Sequence, residues 1–153
     1  MMFEAKLNEL GIKIPEAPKP LAAYVPANRV DNLIFTAGQL PMISGKLYKE
    51  GKVGIEVSEE EAKKAAEVCV INCLSTVKML IGNLDNIEKI VKLTVFVASA
   101  EGFTNQPIVA NGASELLVKI FGESGKHARS AVGVSELPIN APVEIEMIVK
   151  VKS

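Results

Sequence analysis

The residue types best suited to chemistry gather near the C-terminus. Lys126, His127 and Arg129 form a charged cluster, and Glu144 and Glu146 sit two apart inside the alternating run VEIEMIVKVK. Charges placed inside a core strand must be solvated, paired or at work. His127 is the sole histidine, a residue type whose unperturbed side chain titrates near neutrality and suits general acid or base work; the plainer reading is a loop or interface residue, and we favour that one. Arg129, at a strand start, is a ligand-binding group, a solvated charge or an interface ion pair. Glu144 is a site carboxylate or one of several charges that alternation presents to solvent, with Glu146 the more structural of the two.

The elements that must position these groups follow from periodicity. Phe3, Leu7 and Leu10 recur at helical spacing until Gly11, and the Pro-rich stretch after it reads as an extended arm ending near Tyr24. Leu33 to Thr36 read as a buried strand, and ISGKLY as a hairpin turn into another. Ser58 with Glu61 makes a capping box for a helix that runs to Gly82. IEKIVKLTVFVAS is a strand rich in β-branched residues; Thr104 to Phe121 is a second long helix, and strands follow near 129–135 and 142–151. The order implies an α+β chain with a mixed sheet and two helices on one face. In the last strand Val143, Ile145, Met147, Val149 and Val151 point one way, while Glu144, Glu146, Ile148, Lys150 and Lys152 point the other. No helix remains to cover that second face, so it is either wet or buried against another subunit.

Composition bounds the rest. A chain of 153 residues that is 48% hydrophobic and 23% charged fits one globular domain, 1–153, with residues 1–20 as N-terminal helix and arm. No apolar run approaches the roughly 18 residues of a membrane span, and the N-terminus lacks a secretory pattern, so a cytoplasmic address is expected. A net charge of -1 and no Trp do not favour nucleic acid as a partner. Cys69 and Cys73, at i,i+4, read as small core residues rather than a disulfide or metal pair.

FTAGQLP (35–41) followed by ARSAVGVSELPINAPVEIE (128–146) resembles the two signature blocks of the RidA/YjgF family, also known as endoribonuclease L-PSP proteins. The order of elements agrees over nearly the whole chain. The resemblance implies a chorismate-mutase-like fold that assembles as a homotrimer, with sites in the clefts between subunits. It also implies hydrolysis of reactive enamines and imines, such as 2-aminoacrylate, to 2-keto acids and ammonia, with no metal or organic cofactor. In that pattern Arg129 grips the carboxylate of a small 2-imino or 2-keto acid, for which a planar guanidinium fork is well suited. Glu144 holds the attacking water, the Gly38 N–H faces the ligand, and Tyr24 lines the cleft. Asn111 matches a helix-borne asparagine, with Ser114 as the competing match. For Tyr24 an arm residue anchored in an apolar groove is an equal reading, and Gly38 also serves a plain strand bend.

Ala131 stands where many members carry Cys, and Ala37 where many carry Ser, so two polar wall groups are absent. A noncatalytic small-carboxylate sensor therefore stays open beside the deaminase. An endoribonuclease fits a single histidine and a pI of 5.9 poorly, and a purely structural trimer would not need Arg129. A direct hairpin of the last two strands would set Glu144 opposite Gly133, away from Arg129; the family topology puts another strand between them.

Overall fold

A computed structural model describes residues 2–18 and 23–153. Part of the Pro-rich arm, residues 19–22, lies outside the described residues. Helix α1 (Phe3–Glu9) turns Phe3 and Leu7 inward, where Phe3 meets Phe121 edge to face at 4.7 Å between ring centroids. This short helix adds to the two long ones. Strands β1 (Ala27–Val30) and β2 (Leu33–Thr36) form an antiparallel pair, joined by a tight turn in which Asp31 adopts a φ of 53°. The ANRV segment of β1, with three exposed residues of four, carries little strand signal and is not among the strands expected from the sequence. Strands β3 (Met42–Ile43) and β4 (Lys46–Leu47) make the small hairpin that ISGKLY implies, turning through Ser44 and Gly45, both at positive φ.

Helix α2 (Glu59–Ile81) starts where Ser58 accepts from the Glu61 amide at 3.1 Å while Glu61 accepts from the Ser58 amide at 3.0 Å. Its inner face is built from Ala62, Ala65, Ala66, Cys69 and Cys73, all fully buried. Small side chains bring the helix close enough for Cys69 Sγ to donate to the Val143 carbonyl at 3.6 Å and Cys73 Sγ to that of Ile145 at 3.4 Å. Burial pushes the Cys73 thiol up to about 12 and raises that of Cys69 well above its ordinary value. Both are free thiols acting as core residues.

Strand β5 (Ile87–Ala98) leads to helix α3 (Gln106–Phe121), which starts at Asn105 and stops at Gly122. Strands β6 (Ala128–Val134) and β7 (Val143–Val151) complete the five-stranded sheet, ordered β1-β2-β7-β5-β6. Only β5 and β6 run parallel; the other pairs are antiparallel. The last two strands therefore form no hairpin, since β5 lies between them. Ile34, Leu93, Val95, Ile145, Met147 and Val149 turn to the helices and are buried, each contributing about 1.5–3 kcal/mol by leaving water. Among the described residues, no layer covers the opposite face. Leu33, Phe35, Phe96, Val132 and Ile148 lie there by register, and Phe35 and Val132 are 41% and 44% exposed. Among the described residues, no helix is long and apolar enough to cross a membrane.

Candidate active site

The sequence-predicted residues fall into two polar groups. The first belongs to the uncovered face. Glu144 lies on the central strand β7, paired with Phe96 of β5. Just past the end of β2, Gln39 bridges to Ile145 through both backbone hydrogen bonds, at 2.8 and 3.0 Å. That bridge lays Gly38 directly against the Glu144 carboxyl: a β-carbon at Gly38 would stand 2.9 Å from Glu144 Cδ, closer than real atoms approach. Glycine is needed here for close approach, because a carboxylate rests where a side chain would be.

Glu144 is half-buried, and no ion pair engages it among the described residues. Its carboxyl is held above the ordinary glutamate value, first by burial and then by the like charge of Glu146, two residues along on the same face. A carboxylate displaced in this direction is a better base when ionised and takes up a proton more readily than a free one. Glu146 is exposed. Tyr24 is 60% exposed; Pro26, two residues on, accepts from the amide of Ala37, the residue before Gly38, at 2.8 Å.

The second group lies on the helix side, along the edge strand. Arg129 registers with Leu93 and, beyond it, Met147, both core-facing. Its Nη1 donates to Asn111 Oδ1 at 2.9 Å and to Ser114 Oγ at 3.2 Å. Asn111 and Ser114, three apart on α3, are thus not competitors for one place: both hold the guanidinium. Nε and Nη2 make no hydrogen bond among the described residues, which leaves one edge of the fork available for a carboxylate. Ser114 Oγ is also 2.9 Å from His127 Nε2, and His127 Nδ1 is 2.6 Å from the Gly125 carbonyl oxygen. His127, expected from the sequence to be a loop or interface residue, lies in the loop before β6 and is hydrogen-bonded into this network. Lys126 pairs with Glu123 at 2.8 Å on the surface and takes no part.

Within one chain the two groups do not meet. Arg129 shares its row with Leu93, whereas Glu144 shares its row with Phe96, three positions along β5, so parity puts them on opposite faces. Two strand spacings of about 4.8 Å and three residues of about 3.3 Å separate their Cα atoms by roughly 14 Å. Among the described residues, no cluster of three His, Cys, Asp or Glu side chains gathers to hold a metal ion.

A mixed sheet with helices on one face only, carrying these two polar groups, defines a chorismate-mutase-like α+β protein. A family model described as "YjgF/chorismate_mutase-like, putative endoribonuclease" matches residues 4–150, and the chain belongs to this family. It is 39% identical over 150 residues to Protein TCP17 of Trypanosoma cruzi, covering 97% of this chain and 94% of that one. It is 30% identical over 141 residues to a 2-iminobutanoate/2-iminopropanoate deaminase of Dermatophagoides farinae, covering 92% and 95% respectively. The crystal structure of Atu1372, a protein of unknown function from Agrobacterium tumefaciens, superposes with a TM-score of 0.91 at 46% identity, over 98% of this chain and 92% of that one.

Proposed function

We propose that the protein is a cytoplasmic hydrolase of small 2-imino acids, working at sites that two subunits of a homotrimer complete. The observation that carries this reading is the Arg129 guanidinium, seated through Nη1 by Asn111 and Ser114 with its Nε–Nη2 edge free. A fixed guanidinium fork of this kind selects a planar carboxylate. The deaminase likeness of a 30% identical relative supports the substrate class.

In this reading Arg129 of one subunit holds the substrate carboxylate, and the Gly38 N–H and Glu144 of a neighbour face the imine carbon. The exposed apolar band of the open sheet face supplies the surface through which subunits associate. Glu144 takes a proton from water as its oxygen bonds to the imine carbon, and the C=N electron pair moves to nitrogen, which is protonated. The resulting carbinolamine expels ammonia as the C=O bond forms, leaving the 2-keto acid. Imines hydrolyse readily in water, so positioning and one proton shuttle suffice.

Keto-acid formation from freshly generated 2-aminoacrylate tests the reading. Wild type should exceed the uncatalysed rate, Arg129→Ala should lose the gain through KM, and Glu144→Gln should lose it through kcat. A folded wild type that gives no acceleration contradicts it. A ligand sensor is the second reading, favoured by Ala37 and Ala131 standing where the resemblance leads one to expect serine and cysteine; binding of 2-keto acids without turnover would identify it.

A further inference from the structure

Imine hydrolysis as described uses the Arg129 fork and the Glu144 carboxyl, yet the hydrogen-bonded chain behind Arg129 continues beyond what holding a guanidinium needs. The Gly125 carbonyl can only accept, so the His127 Nδ1 that lies 2.6 Å from it carries a proton. In the neutral ring Nε2 is then an acceptor and takes the Ser114 hydroxyl proton at 2.9 Å. This turns a Ser114 Oγ lone pair toward Arg129 Nη1, 3.2 Å away. The donors run in one direction: Arg129 to Ser114, Ser114 to His127, His127 to Gly125.

We propose that His127 is a positioning residue that sets the seat of Arg129 through Ser114 and makes the affinity for small carboxylates depend on pH. The inference rests on the reading of Arg129 as the carboxylate grip. When the ring takes up a second proton, Nε2 changes from acceptor to donor. Ser114 Oγ must then accept from two cations at once while its own proton loses its acceptor, and the two positive groups repel across a single hydroxyl. The Arg129–Ser114 bond weakens and the fork loses one of its two anchors, leaving Asn111.

Among the described residues, the charged groups on the elements packed around the ring are engaged or turned elsewhere. On α3, Glu115 and Lys119 line the groove toward α2 instead. In the turn before β6, Glu123 is engaged by Lys126 at 2.8 Å. On β5, Lys92 registers with Ala128, which places it on the face opposite Arg129.

The test is binding of 2-oxobutanoate by isothermal titration calorimetry between pH 5.5 and 8, in wild type, His127→Gln and Ser114→Ala, together with 15N NMR of the imidazole. The chain has one histidine, so its ring signals need no assignment. Glutamine offers Ser114 an amide acceptor at every pH. Wild-type affinity relative to His127→Gln should fall about three- to tenfold between pH 8 and pH 5.5, the worth of one net hydrogen bond. Ser114→Ala should bind about three- to tenfold more weakly at pH 8 and lose the difference between the two pH limits that is specific to histidine. The neutral ring should be the Nδ1–H tautomer. An Nε2–H tautomer, or identical pH profiles for wild type and His127→Gln, overturns the inference while wild type still binds. Failure of every form to bind 2-oxobutanoate at any pH rejects the carboxylate grip itself, and the positioning role falls with it.

Discussion

Arg129 and Glu144 project from opposite faces of one sheet, with β5 between their strands. A single chain therefore holds the Arg129 guanidinium and the half-buried Glu144 carboxyl with Cα atoms roughly 14 Å apart. Assembly through the open sheet face joins them in our account. Phe35, 41% exposed on that face, packs beside Ile148 in register. Light scattering should give a trimer for wild type, and Phe35→Asp should give monomers that keep a native circular-dichroism spectrum, since the side chain lies outside the core.

In the proposed reaction the Glu144 carboxyl sets an acid limit on turnover. Burial, and then Glu146, raise its ionisation above the ordinary glutamate range, so a rate that needs ionised Glu144 is lost as pH falls through that raised value. Glu146→Gln removes one of the two causes. The acid limb of kcat against pH should move to lower pH in that variant and by a smaller span than removal of both causes would give.

The same shift carries a stability consequence of known sign. A carboxyl harder to ionise in the folded chain than in the unfolded one favours folding while protonated, and that advantage is lost as pH rises through the unfolded value to the folded one. Glu144→Gln should therefore be at least as stable as wild type at pH 7 by urea denaturation, while turnover falls about 100-fold or more.

Gly38→Ala separates the carboxyl's place from its chemistry. The new β-carbon meets the end of a flexible Glu144 side chain, not backbone, so the carboxylate swings aside and the fold survives. Keto-acid formation should fall by about 100-fold with a melting temperature close to that of wild type. Retained activity would show that the contact has no bearing on catalysis.

Cys69 and Cys73 are buried, and burial drives both thiols toward the protonated form. Neither should react with a disulfide reagent at pH 8 over the time in which the unfolded chain reacts completely.

Much of the fold is legible in local sequence because the deciding interactions are local. Ser58, Glu61 and Gly82 mark both ends of α2, and the alternation from Val143 to Val151 separates core from open face on β7. The two motif blocks carry the family. What the sequence could not supply is relative parity: whether Arg129 shares a face with Glu144 depends on both strands' register against β5, fixed by the pairings of Leu93 and Phe96. The second anchor of Arg129 had a readable signal. Asn111 and Ser114 stand at i,i+3 on one helix face, a spacing that brings side chains together rather than forcing a choice. Strand β1 was hidden because an edge strand with three exposed residues of four has no apolar pattern.

The most direct test of a site shared between subunits is complementation. Arg129→Ala and Glu144→Gln chains, each inactive alone, are unfolded together, refolded as a mixture and assayed with 2-aminoacrylate. Random assembly gives about a quarter of the sites an intact arginine from one chain and an intact glutamate from its neighbour. We expect about a quarter of wild-type activity to return. A mixture that forms mixed trimers and stays as inactive as its components would contradict the account.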